Sequence, residues 1–291
     1  MLYRAILVLS FIGRSVPLGV GRALGRALGR LAWHVARRER RKALAHVAIA
    51  FPSWSDAERR TAIRAMFQHL GMSLFEIMWL PNVSRGNFRN WTEVVNEAPT
   101  QALLDAGRGV IAFTGHCGNW EWVAYTVGLL GMPLAALQRE RSESGMNEFI
   151  AELRLRANVK TIDRGSASSS REMLQTLRRG GMLAFLIDQN IRAESVKVPF
   201  FGKPALTPIG PAKFAIRTGA AVVGIFIERR ADGTHLVRFN DPIETKRDDD
   251  PVALTAQMTA QIEEQIRRAP EQWVWMHERW RERPKWDVSA R

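Results

Sequence analysis

From Val110 to Phe239 short apolar runs alternate with amphipathic stretches of helical period, and this constrains the fold more than any other feature of the 291 residues. Units of strand followed by helix bury their strands in one sheet covered by helices. Candidate strands are 110–114, 134–137, 159–162, 183–187, 222–227 and 235–239, with helices expected to begin near Asn119, Met146, Ser169, Pro208 and Pro251. In "SASSSREMLQTLRRGG" Ser169 reads as the cap, with Glu172 three residues later and Gly180 as the stop. In "LTPIGPAKFAIRTGA" Thr207 reads as the cap and Pro208 as the first helical residue. Upstream, "SWSDAERRTAIRAMFQHLGMSLFEIMWL" predicts a helix opened by Ser55 and Glu58 in a capping box, with Ile63, Met66, Phe67 and Leu70 facing the core. The fold class expected is α/β, a central mixed, mainly parallel sheet flanked by helices.

Charge adds a second constraint. The formal net charge is +13, and residues 1–42 carry ten basic side chains against one acid, Glu39. An anionic partner is implied, whether membrane, acidic protein or nucleic acid. The basic excess is fused to apolar sequence, "MLYRAILVLSFIG" and "GRALGRALGRLAWHVARRERRKALAH". The longest uncharged piece, Ala5 to Gly13, is well short of the roughly 20 residues of a spanning helix. A helix lying in the membrane interface is therefore expected, with an ordinary amphipathic helix packed on the core as the alternative. Gly21, Gly25 and Gly29 fall on one helical face and permit close approach to a second helix or to lipid. We divide the chain into a basic amphipathic membrane-associating extension, 1–42, and a single domain, 43–291. No nucleic-acid-binding motif is recognisable, so nucleic acid is not an expected partner. Cys117 is the one cysteine, which excludes an intramolecular disulfide.

Polar residues follow the candidate strands: His116 the first, Arg139 the second, Arg164 the third and Asp188 the fourth. Ligands of open α/β sheets bind at the carboxyl ends of strands, where these four side chains could converge. In "TGHCGNWEW" His116 precedes Glu121 by five residues, too far round a helix to share a face. They can meet if His116 sits on the turn, with Gly115 and Gly118 allowing tight backbone, Asn119 as N-cap and Glu121 in the first helical turn. A carboxylate accepting the second imidazole N–H would fix the tautomer and suit the ring to deprotonate a substrate hydroxyl. Spacing alone fits equally well a structural histidine and an acid favouring the helix dipole. No metal is expected, because neither H-E-x-x-H nor a cysteine cluster is present. Cys117 points away from its neighbour His116 in extended chain and reads as an incidental thiol.

"TGHCGNWEW" resembles the H-x-x-x-x-D/E motif of the lipid A late acyltransferase family, within the lysophospholipid and glycerolipid acyltransferase superfamily. Three later stretches resemble that family in the same order: "IDRGSASSSREMLQTLRRGGMLAFLIDQN", "VPFFGKPALTPIGPAKFAIRTGA" and "APEQWVWMHERWRERP". "ALAHVAIAFPSWSDAERR" is similar to its early N-L-x-x-x-F-P segment, with His46 and Val47 where Asn and Leu are usual. The resemblance spans nearly the whole chain.

It implies a glycerolipid-acyltransferase-like fold at the cytoplasmic face of the inner membrane, peripheral or monotopic. The implied reaction moves a fatty acyl chain from a thioester on acyl carrier protein or coenzyme A to a hydroxyl of a lipid A precursor or related glycolipid, with no further cofactor. Acylation of a lysophospholipid is the same-class alternative, and a non-catalytic basic membrane- or nucleic-acid-binding protein the different-class one. Carried over by position, His116 would be the general base and Glu121 its orienting partner, Glu where many members have Asp. Arg164 matches an arginine expected at phosphate or the reacting centre, and Asp188 the acid ending the fourth strand. Arg139 is expected to contact substrate from the second strand. Backbone N–H groups at Gly118 and Asn119 are candidate oxyanion donors. Phe200 and Phe201 are candidates for an acyl groove with Lys203 at its mouth. Trp273, Trp275 and Trp280, with Arg279, Arg281 and Arg283, fit either a headgroup interface or ordinary packing.

Overall fold

The computed structural model describes residues 2–139, 145–166 and 168–289. Four helices come first: α1 (Leu2–Ser15), α2 (Leu18–Val35), α3 (Arg37–Ala50) and α4 (Asp56–Trp79). The alternating region follows as β1 (Thr92–Val95), α5 (Ala98–Asp105), β2 (Val110–Thr114), α6 (Trp120–Leu129), β3 (Leu134–Arg139), α7 (Gly145–Arg156), β4 (Lys160–Arg164), α8 (Ser169–Arg178) and β5 (Met182–Leu186). The chain continues through the hairpin β6 (Ser195–Phe200) and β7 (Lys203–Pro208), then α9 (Gly210–Thr218), β8 (Ala221–Arg229), β9 (His235–Phe239) and α10 (Pro251–Arg268).

Among the described residues the main sheet has seven strands in the order β1-β9-β8-β2-β5-β3-β4. Every neighbouring pair is parallel except β8 with β9. Successive side chains of β2 enter different cores: Ile111 and Phe113 join one cluster, Val110 and Ala112 the other. Burial on both faces explains why this strand reads as a continuous apolar run.

Two helix starts differ from expectation. Ser168, not Ser169, is the N-cap of α8, and its hydroxyl meets Glu172 at 2.7 Å. Thr207 and Pro208 end β7, and α9 begins at Gly210 with Pro211 in its first turn. Both β-branched Thr207 and Pro208 suit the end of a hairpin strand, and the helix takes the second proline instead. β1 and the β6–β7 hairpin had no expectation. The capping box at Ser55 and Glu58 is present in full.

The N-terminal helices are packed onto the domain. A Cβ at Gly25 would lie 2.5 Å from the Gly71 carbonyl of α4, and one at Gly29 would meet the Phe67 carbonyl more closely still. Glycines here let α2 and α4 touch backbone to backbone. The opposite side of α2 exposes Val20, Leu24, Leu28, Leu31 and Val35. The division placed at residue 42 falls inside α3, whose Ala43, Val47 and Ala50 share a core cluster with Ile111 and Phe113 of β2. Among the described residues, no helix is long and apolar enough to cross a membrane.

Candidate active site

His116 sits on the turn between β2 and α6. Asn119 caps the helix, its Oδ1 accepting the Trp122 N–H at 3.2 Å, and Gly118 takes the left-handed conformation (φ +55°). Gly115 allows a second approach, since a Cβ there would lie 3.3 Å from the Asp188 carboxyl carbon. That carboxylate grips the turn. The His116 N–H donates to Asp188 Oδ2 at 2.7 Å, and Nδ1 lies 2.8 Å from Oδ1. The Trp273 indole N–H donates to Oδ2 at 2.8 Å.

Burial alone would push the Asp188 carboxyl up, but the His116 ring, the His116 N–H and the Trp273 indole outweigh it and hold the group at about 2. An ionised carboxylate only accepts, so Nδ1 carries a proton, which leaves Nε2 as the nitrogen that can accept one. The segment carrying Asp188 is itself braced, because the Asn190 N–H donates to His277 Nε2 at 2.8 Å. Burial holds His277 down to about 4, which leaves it neutral and able to accept.

Glu121 does not reach His116. From the first turn of α6 it turns toward α7, where Arg154 donates through Nε at 2.9 Å and Nη2 at 2.7 Å. Both side chains are buried, so this two-pronged pair is shielded from solvent screening. The His116–Glu121 contact expected from the spacing is thus replaced by two pairs, His116 with Asp188 and Glu121 with Arg154. Arg154 had no signal in the sequence, standing 33 residues from its partner on an otherwise ordinary helix.

His116 and the Glu121–Arg154 pair line a cavity of about 950 Å³ at the carboxyl ends of β2, β3 and β5. Its polar end also carries Gln138, Asn147 and Arg164. Apolar wall comes from Met173 and Leu174 of α8 and Phe214 of α9, beside Leu137, Phe185 and Ile187, with Arg171 and Arg217 of the same helices also in the lining. Trp120 stands beside the imidazole with ring centroids 4.9 Å apart. Among the described residues, no group of three His, Cys, Asp or Glu side chains could hold a metal ion.

The remaining candidates divide. Arg164 ends β4 and lines the cavity. Arg139 ends β3 in register with it, while its side chain lies outside the described residues. The Gly118 N–H is spent on the Gln272 carbonyl at 2.7 Å, which removes it as an oxyanion donor. Asn119 is buried, with its side chain turned to Glu76 of α4. Lys203 is exposed at the β6–β7 turn and is not part of the cavity wall. Phe200 and Phe201 are core residues beneath the guanidinium groups of Arg279 and Arg267, not groove residues. Trp273, Trp275 and Arg279 are fully buried, which excludes them from a headgroup interface. Burial pushes the Cys117 thiol well up, and the Asp188 charge adds to this, so the thiol is inert.

The family model described as "Bacterial lipid A biosynthesis acyltransferase" matches residues 2–282. The chain is 29% identical to the lipid A biosynthesis palmitoleoyltransferase of Escherichia coli (strain K12) over 257 residues, 86% of this chain and 82% of that protein. It is 28% identical to the lipid A biosynthesis lauroyltransferase of the same strain, over 85% of this chain and 81% of that protein. It is also 26% identical to the phosphatidylinositol mannoside acyltransferase of Mycolicibacterium smegmatis, over 75% of this chain and 72% of that protein.

Proposed function

Because the chain belongs to the bacterial lipid A biosynthesis acyltransferase family and is a glycolipid O-acyltransferase, we propose that it moves a fatty acyl chain from an acyl thioester to a hydroxyl of a lipid A precursor, with His116 as general base. The observation that carries this reading is the imidazole held through Nδ1 by a buried carboxylate on the wall of a cavity lined by both polar and apolar side chains. His116 Nε2 takes the proton of the acceptor hydroxyl as its oxygen attacks the thioester carbonyl carbon. The tetrahedral intermediate collapses with cleavage of the carbon–sulfur bond, and the leaving thiolate takes the proton back from His116. Asp188 keeps the proton on Nδ1 and stabilises the transient imidazolium.

The same reading assigns the oxyanion to Arg154, which Glu121 orients at the cavity wall. Arg164 lies at the polar end, where a phosphorylated headgroup would bind. The donor chain lies in an arm beside the apolar side chains of α8 and α9, and the thioester is presented by acyl carrier protein or coenzyme A. The exposed apolar face of α2, among its arginines, rests on the cytoplasmic surface of the inner membrane.

The test is transfer from labelled acyl thioesters, on both carriers, to lipids extracted from bacterial membranes. The parent forms an acylated glycolipid, and His116→Ala loses roughly 10³-fold in kcat at equal folded protein. Full activity in His116→Ala sinks the base assignment, and no product with either carrier sinks the thioester reading.

A further inference from the structure

A second buried carboxylate anchors the far end of the His116 turn, and the transfer chemistry does not use it. Glu76 of α4 is wholly buried. Its Oε2 accepts from Asn119 Nδ2 at 3.0 Å and Arg229 Nη2 at 2.6 Å. Its Oε1 accepts from Arg229 Nε at 2.9 Å and from Arg22 Nε at 2.7 Å, with His235 Nε2 3.2 Å away. Burial works against ionisation, but His235 and the Arg229 guanidinium outweigh it and hold the carboxyl well below the ordinary range. His69, 2.6 Å from Arg229 Nη1, is held by burial and by Arg229 at about 3, so it is neutral and accepts.

Four elements meet at this carboxylate. Arg22 comes from α2, the helix whose outer face is apolar and exposed, and Arg229 from the end of β8. Asn119 is the last residue of the turn and the cap of α6, so its side chain fixes where the turn ends and the helix begins. The α2–α4 seam brings backbones into contact at Gly25, Gly29 and Gly71, which keeps Arg22 and Glu76 in register. Rotating or lifting α2 moves Arg22, and the hydrogen bonds of Glu76 pass that change to Asn119.

We propose that Glu76 is a positioning residue for acyl transfer, joining the outward-facing helix α2 through Arg22 to Asn119 and so to the His116 turn. This rests on the reading of His116 as the base. Asn119→Ser keeps a cap for α6 but removes the amide donor to Glu76. It is expected to lower kcat about tenfold or more, with KM for the acyl donor unchanged. Arg22→Gln is expected to lower kcat a few-fold. Arg22→Gln combined with Asn119→Ser is expected to lower kcat little further than Asn119→Ser alone, because both act through Glu76.

Assays use a lauroyl thioester and extracted bacterial lipids, with the folded fraction of each variant set equal by thermal melting. If Asn119→Ser does not fold, Arg22→Gln carries the test, and an unimpaired kcat there overturns the proposal. Unimpaired kcat in Asn119→Ser, or losses that simply multiply in the double substitution, overturns the proposal. A His116→Ala protein that still transfers overturns the reading beneath it; an inactive His116→Ala beside a fully active Asn119→Ser overturns the relay alone.

Discussion

Two buried carboxylates hold the same turn from opposite ends, and they are built alike. Asp188 and Glu76 are each fully buried, each accept several N–H groups, and each stay ionised against the cost of burial. What differs is what each faces. Glu76 meets two arginines and the buried His235 in a cluster away from the cavity, so its charge is neutralised and acts by holding elements in place, the His116 turn among them. Asp188 meets one histidine whose other nitrogen borders a cavity, so its charge is available to a proton-transfer step. A buried carboxylate becomes functional through the titratable partner it orients toward open space, not through burial itself.

Removing each carboxylate should therefore damage different properties. Glu76→Ala leaves Arg229 and Arg22 without their counter-charge and is expected to cost about 3–5 kcal/mol. A calorimetric scan should show the midpoint lowered by about 10 °C. Asp188→Asn keeps the shape of the site but removes the charge that fixes the imidazole tautomer. Transfer should fall roughly 10³-fold with a much smaller change in melting. If Asp188→Asn melts as early as Glu76→Ala and keeps its activity, the contrast between the two sites is broken.

Acid sharpens the comparison. The Asp188 carboxyl lies at about 2 in the folded protein against an ordinary value of 3.8, so its ionisation stabilises the fold. A depressed carboxylate contributes fully above its unfolded value and loses the contribution as pH falls through its folded value. Roughly 2 kcal/mol should therefore disappear between about pH 4 and pH 2. Denaturant midpoints measured across that window should fall more steeply for the parent than for Asp188→Asn. Parallel slopes would mean that the aspartate is not held down by the contacts it makes.

Much of this arrangement is written locally in the sequence, and the part that is not depends on strand order. The tight turn, the Asn119 cap and the strand before it are set by neighbouring residues. The partner of His116 is not. Thr114 of β2 pairs in register with Leu186 of β5, so His116 and Asp188 each stand two residues past a matched pair on adjacent parallel strands. Nothing in a single sequence says that the fourth candidate strand lies beside the first, whereas Glu121 is near in sequence and drew the assignment. Glu76 and Arg154 were unreadable for the same reason, since their partners are 43 and 33 residues away. For Trp273 the sequence leaves a headgroup layer and ordinary packing equally open, because tryptophan suits both, and only the fold decides.

Trp273 gives a smaller test. Trp273→Phe keeps an aromatic ring in the core but removes the indole donor to Asp188 Oδ2. A hydrogen bond to a charged group is worth enough that kcat should fall about tenfold. The equivalent loss on the other side, Ser73→Ala, removes a hydroxyl that accepts from Arg229 Nη2 at 2.9 Å and leaves every contact of Asn119 in place. It should change kcat by less than a factor of about two. Equal losses in the two variants would mean that the turn responds to any disturbance of its surroundings and not to the carboxylate that orients the base.

The smallest expected effect lies on the open side of the turn, in the arm proposed for the acyl chain beside the apolar side chains of α8 and α9. Its fit is a matter of burying methylenes, each worth about a fourfold preference. Leu174→Trp fills the arm from α8 and should shift donor preference toward shorter acyl chains. Phe214→Ala opens it from α9 and should shift preference toward longer ones. Competition among labelled thioesters of different chain length reads this directly, because general damage lowers all donors together and leaves their ratio unchanged. If both substitutions scale every donor equally, the acyl chain does not lie in this arm.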